Sequence, residues 1–105
     1  MQVASARRMS CPKHAVDADD GNPMLRARVA KALRSWTGRM QAYVEEAQQQ
    51  RDAKPDVDPK AVATLIVASL EGALMMSRIQ RNDEALRRVQ VHLDQYLDRE
   101  VAVSR

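Results

Sequence analysis

The segment from Asp58 to Arg78 constrains the fold of this chain more than any other. Asp58 can cap the free amides of a helix N-terminus and Pro59 suits the first helical position, so the sequence predicts a helix from Pro59 to about Arg78. On a helical wheel its polar residues fall within about 40° of one another, and the rest of the circumference is apolar. Those polar residues are Lys60, Thr64, Glu71 and Arg78. Because one packing contact buries one stripe, two separate packing surfaces are predicted.

The two predicted surfaces of this helix differ in the size of their side chains. The first is bulky and consists of Val62, Ile66, Leu70 and Leu74. The second has small side chains with larger apolar ones beside them, and consists of Ala61, Leu65, Ala68, Ser69, Gly72 and Met76. Small residues let another helix approach closely, which would explain a glycine in mid-helix. The second surface therefore predicts pairing with another helical surface, such as a second copy of the chain.

A long amphipathic helix is predicted before this segment. Asn22 followed by Pro23 is a start signal, and a loop is expected at residues 51–57, so the helix should run from Pro23 to Gln50. Its apolar residues recur at steps of three and four: Leu25, Val29, Leu33, Trp36, Met40, Tyr43 and Ala47. Its basic residues fall mainly on the other side, where we expect solvent: Arg26, Arg28, Lys31, Arg34 and Arg39.

A third helix is predicted from Asn82-Asp83-Glu84 to about Val101, and its short link to the second helix predicts an antiparallel hairpin. Its apolar stripe is Leu86, Val89, Leu93, Tyr96 and Leu97. The fold class is therefore all-α, with three main helices plus a short N-terminal helix from about Pro12 to Ala18. Residues 1–22 are otherwise expected to be irregular, and residues 23–105 to form the helical domain.

The motifs of enzymes and metal proteins are not found in the sequence. His14 and His92 lie in different segments without a metal-binding spacing, and there is no phosphate-binding loop and no nucleophile motif. We therefore expect no catalytic residue, no metal and no cofactor. The single cysteine, Cys11, excludes an internal disulfide and fits a reducing compartment such as the cytoplasm.

Charge and hydropathy restrict the partners. The net charge of +3 is small for a DNA-binding module, which usually concentrates many more cations on one face. No secretory signal is visible. The longest apolar run, Ala61 to Met76, is shorter than the roughly 20 residues of a membrane span and contains Glu71, so membrane insertion is not expected.

Five motifs occur in an order that resembles a known family. They are Cys11-Pro12, Pro23-x-Leu25-Arg26, Trp36, Asp56-Val57-Asp58-Pro59 and Leu70-Glu71-Gly72-Ala73-Leu74. Together they resemble the C-terminal half of tetracycline-repressor-like (TetR) transcriptional regulators, in the branch with a Gly-Cys element ahead of the long helix. The resemblance covers roughly residues 10 to 100. Ser10 stands where that branch usually has Gly.

The resemblance implies a dimer and a ligand. In that family the last two helices pack against their copies in a twofold dimer, which here implies a four-helix bundle from Pro59 to Arg78 and Asp83 to Val101. The interface residues would be Ala61, Leu65, Ala68, Ser69, Gly72, Met76, Leu86, Val89, Leu93 and Tyr96. The family's C-terminal half also binds small, often apolar effectors. Candidate effector-binding residues on the long helix are Trp36, Met40 and Tyr43, for which core packing is an equally good or better explanation.

The sequence departs from the family at its N-terminal end. Family members begin with a helix-turn-helix, and without one direct DNA binding is not expected of this chain alone. An alternative function therefore stays open. The chain could be a stand-alone helical module that forms mixed dimers with full-length regulators and needs no ligand.

Overall fold

The computed structural model describes residues 21–104. These residues form three α-helices, and a π-helical turn follows the third. Helix α1 spans Pro23–Gln49, α2 spans Pro59–Gln80 and α3 spans Glu84–Tyr96, with the π-helical turn at Leu97–Val101. The predicted all-α class and its three main helices are confirmed. The predicted short helix from Pro12 to Ala18 lies outside the described residues, as do Cys11 and His14.

The first two helices begin where the sequence predicts. The backbone N–H of Leu25 donates to Oδ1 of Asn22 at 3.0 Å, ahead of the proline that opens α1. Oδ1 of Asp58 accepts from the backbone N–H groups of Lys60 at 3.0 Å and Ala61 at 3.4 Å, which caps α2. These bonds satisfy amides that have no partner within the helix, which is why a polar residue followed by proline marks the start.

The link between α2 and α3 is short, as predicted. Arg81 caps the C-terminus of α2, and its positive φ of 58° lets its backbone N–H donate to the carbonyl of Ser77. Asp83 makes no side-chain capping bond; instead Oδ1 of Asn82 accepts from the backbone N–H of Glu84 at 3.0 Å. With only residues 81–83 between them, α2 and α3 pack side by side as a hairpin.

The C-terminal residues return to the loop between α1 and α2, which the sequence did not predict. Ala102 forms an isolated antiparallel bridge with Ala53. The backbone N–H of Lys54 donates to the carbonyl of Val101 at 2.8 Å, and the backbone N–H of Val103 donates to the carbonyl of Asp52 at 2.9 Å. The end of the chain is thereby joined to the loop that connects the first two helices.

The chain divides into two compact units within α1, at Leu33 and Arg34. In the described part of the first unit, residues 21–33, no side chain is buried. The second unit contains a small core whose buried residues are Val44, Ala53, Val62, Ile66 and Val101. Both hollows beside α2, and the surfaces of α2 and α3, lie in this second unit.

Judged by its length and composition alone, helix α2 could cross a membrane. It has 22 residues, and its most apolar window has a mean hydropathy of 1.5. The whole helix thus reaches the length of a membrane span, whereas its longest apolar run, from Ala61 to Met76, does not. Core helices of soluble proteins meet the same criterion, but only 22% of this window is buried. The structure therefore leaves much of the apolar surface of α2 uncovered.

Candidate functional site

A pocket of about 500 Å³ lies between α1 and α2. Helix α1 contributes four residues spaced by three and four, which places them on one face: Trp36, Arg39, Met40 and Tyr43. Helix α2 contributes five residues from its bulky surface and its edge: Ile66, Val67, Leu70, Glu71 and Leu74. Seven of the nine lining residues are aromatic or aliphatic, so the pocket suits a mainly apolar molecule.

The structure brings together the three residues predicted to bind an effector. Trp36, Met40 and Tyr43 all line this pocket. Met40 is half-buried and also packs against the core, whereas Trp36 is 44% exposed and Tyr43 is 62% exposed. Core packing within the chain therefore accounts for Met40 and leaves the exposed surfaces of the two aromatic residues without a structural role.

Two charged residues, Arg39 and Glu71, also line the pocket, which the sequence pattern does not predict. The pattern places Arg39 on the solvent face of α1 and Glu71 on the polar strip of α2. Both are exposed, and within residues 21–104 neither forms an ion pair. The spacing of Arg39, three residues after Trp36 and four before Tyr43, is the signal that could have identified it.

A second hollow adjoins the first along α2. It shares Trp36, Glu71 and Leu74 with the pocket and is further lined by Ala68, Gly72, Met75, Arg78 and Ile79. Two of these residues, Ala68 and Gly72, belong to the surface predicted to pair with another helix. The pocket and the small-residue surface of α2 are therefore neighbours.

The small-residue surface of α2 is largely uncovered. Leu65 is 43% exposed and Met76 is 48% exposed, while Ala61 and Ala68 are also exposed. Ser69 and Gly72 are half-buried. A Cβ added at Gly72 would meet no atom within 4 Å, so packing inside the subunit does not explain this glycine.

The predicted interface residues of α3 have a partly internal role. All four, Leu86, Val89, Leu93 and Tyr96, are half-buried. Leu93 and Tyr96 pack against the core of their own subunit, so at most their outer surface is available to a partner.

No metal site is found in the described part of the chain. Within residues 21–104, no three side chains of His, Cys, Asp or Glu are close enough together to hold a metal ion. His92 is exposed on α3.

The described residues form an all-α arrangement with a pocket between α1 and α2, and comparison with known proteins identifies the family. The sequence profile of the tetracyclin repressor-like, C-terminal domain family matches residues 10–93. This chain belongs to that family. No curated protein matches the chain.

A solved structure similar to this chain is that of a TetR transcriptional regulator from Chloroflexus aurantiacus J-10-FL. It is 33% identical in sequence, with a TM-score of 0.79. The match covers 86% of this chain and 46% of the regulator, so the chain spans about half the length of that protein. The resemblance to TetR regulators inferred from the sequence motifs is thereby confirmed.

Proposed function

We propose that this domain is the ligand-sensing and dimerisation part of a TetR-type transcriptional regulator. The observation that carries the proposal is the exposed apolar surface of α2, which faces a pocket on one side and presents small residues on another. Each surface requires a different occupant. A small apolar molecule suits the pocket, and a second copy of the chain suits the small-residue surface.

The size and lining of the pocket support the ligand. Small-molecule sites usually occupy about 300–1,000 Å³ and are mostly apolar with a few polar groups. The pocket has a volume of about 500 Å³. Its aromatic residues are exposed, so a ligand would bury apolar area that is in contact with water.

The chain supplies its own reporter for ligand binding, because Trp36 is its only tryptophan and lines the pocket. We expect N-phenyl-1-naphthylamine, a neutral apolar dye, to accept energy from Trp36 on titration and to raise the thermal midpoint. Replacing Leu74 with Ala should weaken binding because it removes apolar lining. Val91→Ala is the matched control, since Val91 is an exposed residue of α3 that does not line the pocket. A saturating dye titration with no energy transfer would exclude a ligand site here.

The small-residue surface supports the homodimer. Stable interfaces usually bury about 1,200–2,000 Å² in total, with small residues where two helices cross closely. We expect light scattering at micromolar concentration to give twice the chain mass of 11.8 kDa. A monomer under these conditions would exclude the homodimer.

Gly72→Leu tests which surface forms the dimer. A Cβ at Gly72 would meet no neighbouring side chain of the subunit, so the Gly72→Leu variant should fold and its leucine should obstruct a partner helix. Gly38→Leu is the matched control, because Gly38 is also a mid-helix glycine with open space around it, but on α1. If Gly72→Leu left the dimer intact, the interface would lie elsewhere. A dimer that binds no ligand would favour the interaction module that forms mixed dimers.

A further inference from the structure

We propose that the pocket selects amphipathic organic anions, with Arg39 binding the acidic group and the apolar lining holding the body of the molecule. The proposal rests on the proposed ligand-sensing function and adds the chemical class of the ligand. Its basis is the position of one unpaired guanidinium among aromatic and aliphatic side chains.

Arg39 is placed to meet a ligand that lies along α1. It lines the pocket between Trp36 and Tyr43, one turn from each, and it is exposed. No carboxylate within residues 21–104 pairs with it, so its planar set of N–H donors is free. Such a fork binds a carboxylate, sulfonate or phosphate through two parallel hydrogen bonds, which makes it a selective anchor for an anion.

The charges around the pocket favour an anion, even though Glu71 also lines it. Glu71 is the only acidic residue of α2, whereas Lys60 and Arg78 are basic. The part of α1 from Arg34 to Val44 contains two basic residues and no acidic one. Arg78 lines the adjoining hollow together with Glu71, so the two hollows are lined by two cations and one anion. The charged residues that line the two hollows thus sum to one positive charge, and Glu71 remains free to accept a hydrogen bond from a ligand hydroxyl or N–H.

Two dyes with the same apolar body test the proposal on the full chain. N-phenyl-1-naphthylamine is neutral, and 8-anilino-1-naphthalenesulfonate adds a sulfonate to the same ring system. Energy transfer from Trp36 reports on dye bound near this residue. We expect the sulfonate to bind about tenfold more tightly than the neutral dye, as one charge-assisted contact at an open site would give.

Variants of Arg39 connect the preference to this residue. Arg39→Gln should lower the affinity for the sulfonate about tenfold and the affinity for the neutral dye much less, so that the two affinities become similar. Arg39→Lys should restore part of the preference, since it keeps the charge and loses the fork. Arg88→Gln is the matched control for general charge, because Arg88 is an exposed arginine of α3 that does not line the pocket. Glu71→Gln should leave the affinity for the sulfonate unchanged or raise it.

The outcomes separate this proposal from the proposed function. Equal affinity for the two dyes would contradict the proposed anion preference of the pocket. An equal loss of sulfonate affinity in Arg88→Gln and Arg39→Gln would contradict it too. In both cases the proposed ligand sensing would stand. A sulfonate affinity that Arg39→Gln leaves unchanged would also overturn the anion proposal, because the anion would then not be bound by Arg39. If neither dye receives energy from Trp36, the ligand-sensing function itself fails.

Discussion

At the scale of single residues, Gln48 has a structural role that its sequence position does not suggest. Its side-chain nitrogen donates to the backbone carbonyls of Lys54 and Val57, both at 3.0 Å. Both carbonyls belong to the loop between α1 and α2, and both bonds are partly buried. Gln48, in the last turn of α1, thus holds the loop in place.

We predict that Gln48→Ala lowers the free energy of unfolding by about 1–3 kcal/mol, since the carbonyl of Val57 would lose its side-chain donor and the carbonyl of Lys54 would keep only the long bond from the backbone N–H of Val57 at 3.5 Å. Urea unfolding measures the change. Gln49→Ala is the control, because Gln49 is exposed and also lies in the last turn of α1, so its effect should be small. Equal destabilisation by both substitutions would mean that helix propensity, rather than the loop contacts of Gln48, determines the effect.

Residue pairs on the surface of α3 illustrate what local spacing can predict. Asp83 pairs with Arg87 at 3.4 Å, and Glu84 pairs with Arg88 at 3.7 Å, both at the expected spacing of four. All four side chains are well exposed, so these pairs contribute little to stability.

At the scale of elements, the segment after α3 completes the core. Val101 is buried in it, and residues 101–103 bind the loop through the bridge between Ala53 and Ala102 and the two adjacent backbone hydrogen bonds. The side chain of Lys54 also donates to the carbonyl of Arg99 at 3.0 Å. The π-helical turn at Leu97–Val101 brings the chain to the loop, whereas a continued α-helix would carry it past the loop.

We predict that ending the chain after Glu100 lowers the free energy of unfolding by roughly 2–4 kcal/mol, from the lost burial of Val101 and the lost backbone bonds. Ending it after Val103 keeps all of these contacts, so this shorter truncation should change stability little. Thermal and urea unfolding of the two truncated chains provide the comparison. A chain ending at Glu100 that is as stable as the full chain would show that the return segment contributes nothing.

At the scale of the whole molecule, the apolar surface of α2 is larger than one subunit covers. If a second copy covers it, unfolding is coupled to dissociation, and mass action makes the thermal midpoint depend on protein concentration. We predict that the midpoint rises between micromolar and tens of micromolar chain, and that Gly72→Leu removes this dependence. Gly38→Leu should retain it. A midpoint that is independent of concentration in the unsubstituted chain would contradict a coupled dimer.

Local features of the fold were predictable from the sequence. The starts of α1 and α2, the loop between them and the all-α class follow from capping residues, prolines and apolar periodicity. These signals act between residues a few positions apart, so the sequence displays them directly. The ordered motifs also identified the family, whereas the second packing surface indicated by the wheel of α2 stays a prediction.

Contacts between distant residues were decided only by the tertiary structure. Whether Arg39 faces water or a pocket depends on where α2 crosses α1, and periodicity along one helix does not contain this information. The same holds for the return of residues 101–103 to the loop and for Leu93 and Tyr96, which pack into their own subunit. The physical reason is that helix formation depends on hydrogen bonds between near neighbours, whereas a pocket or core requires side chains from separate helices to occupy the same space.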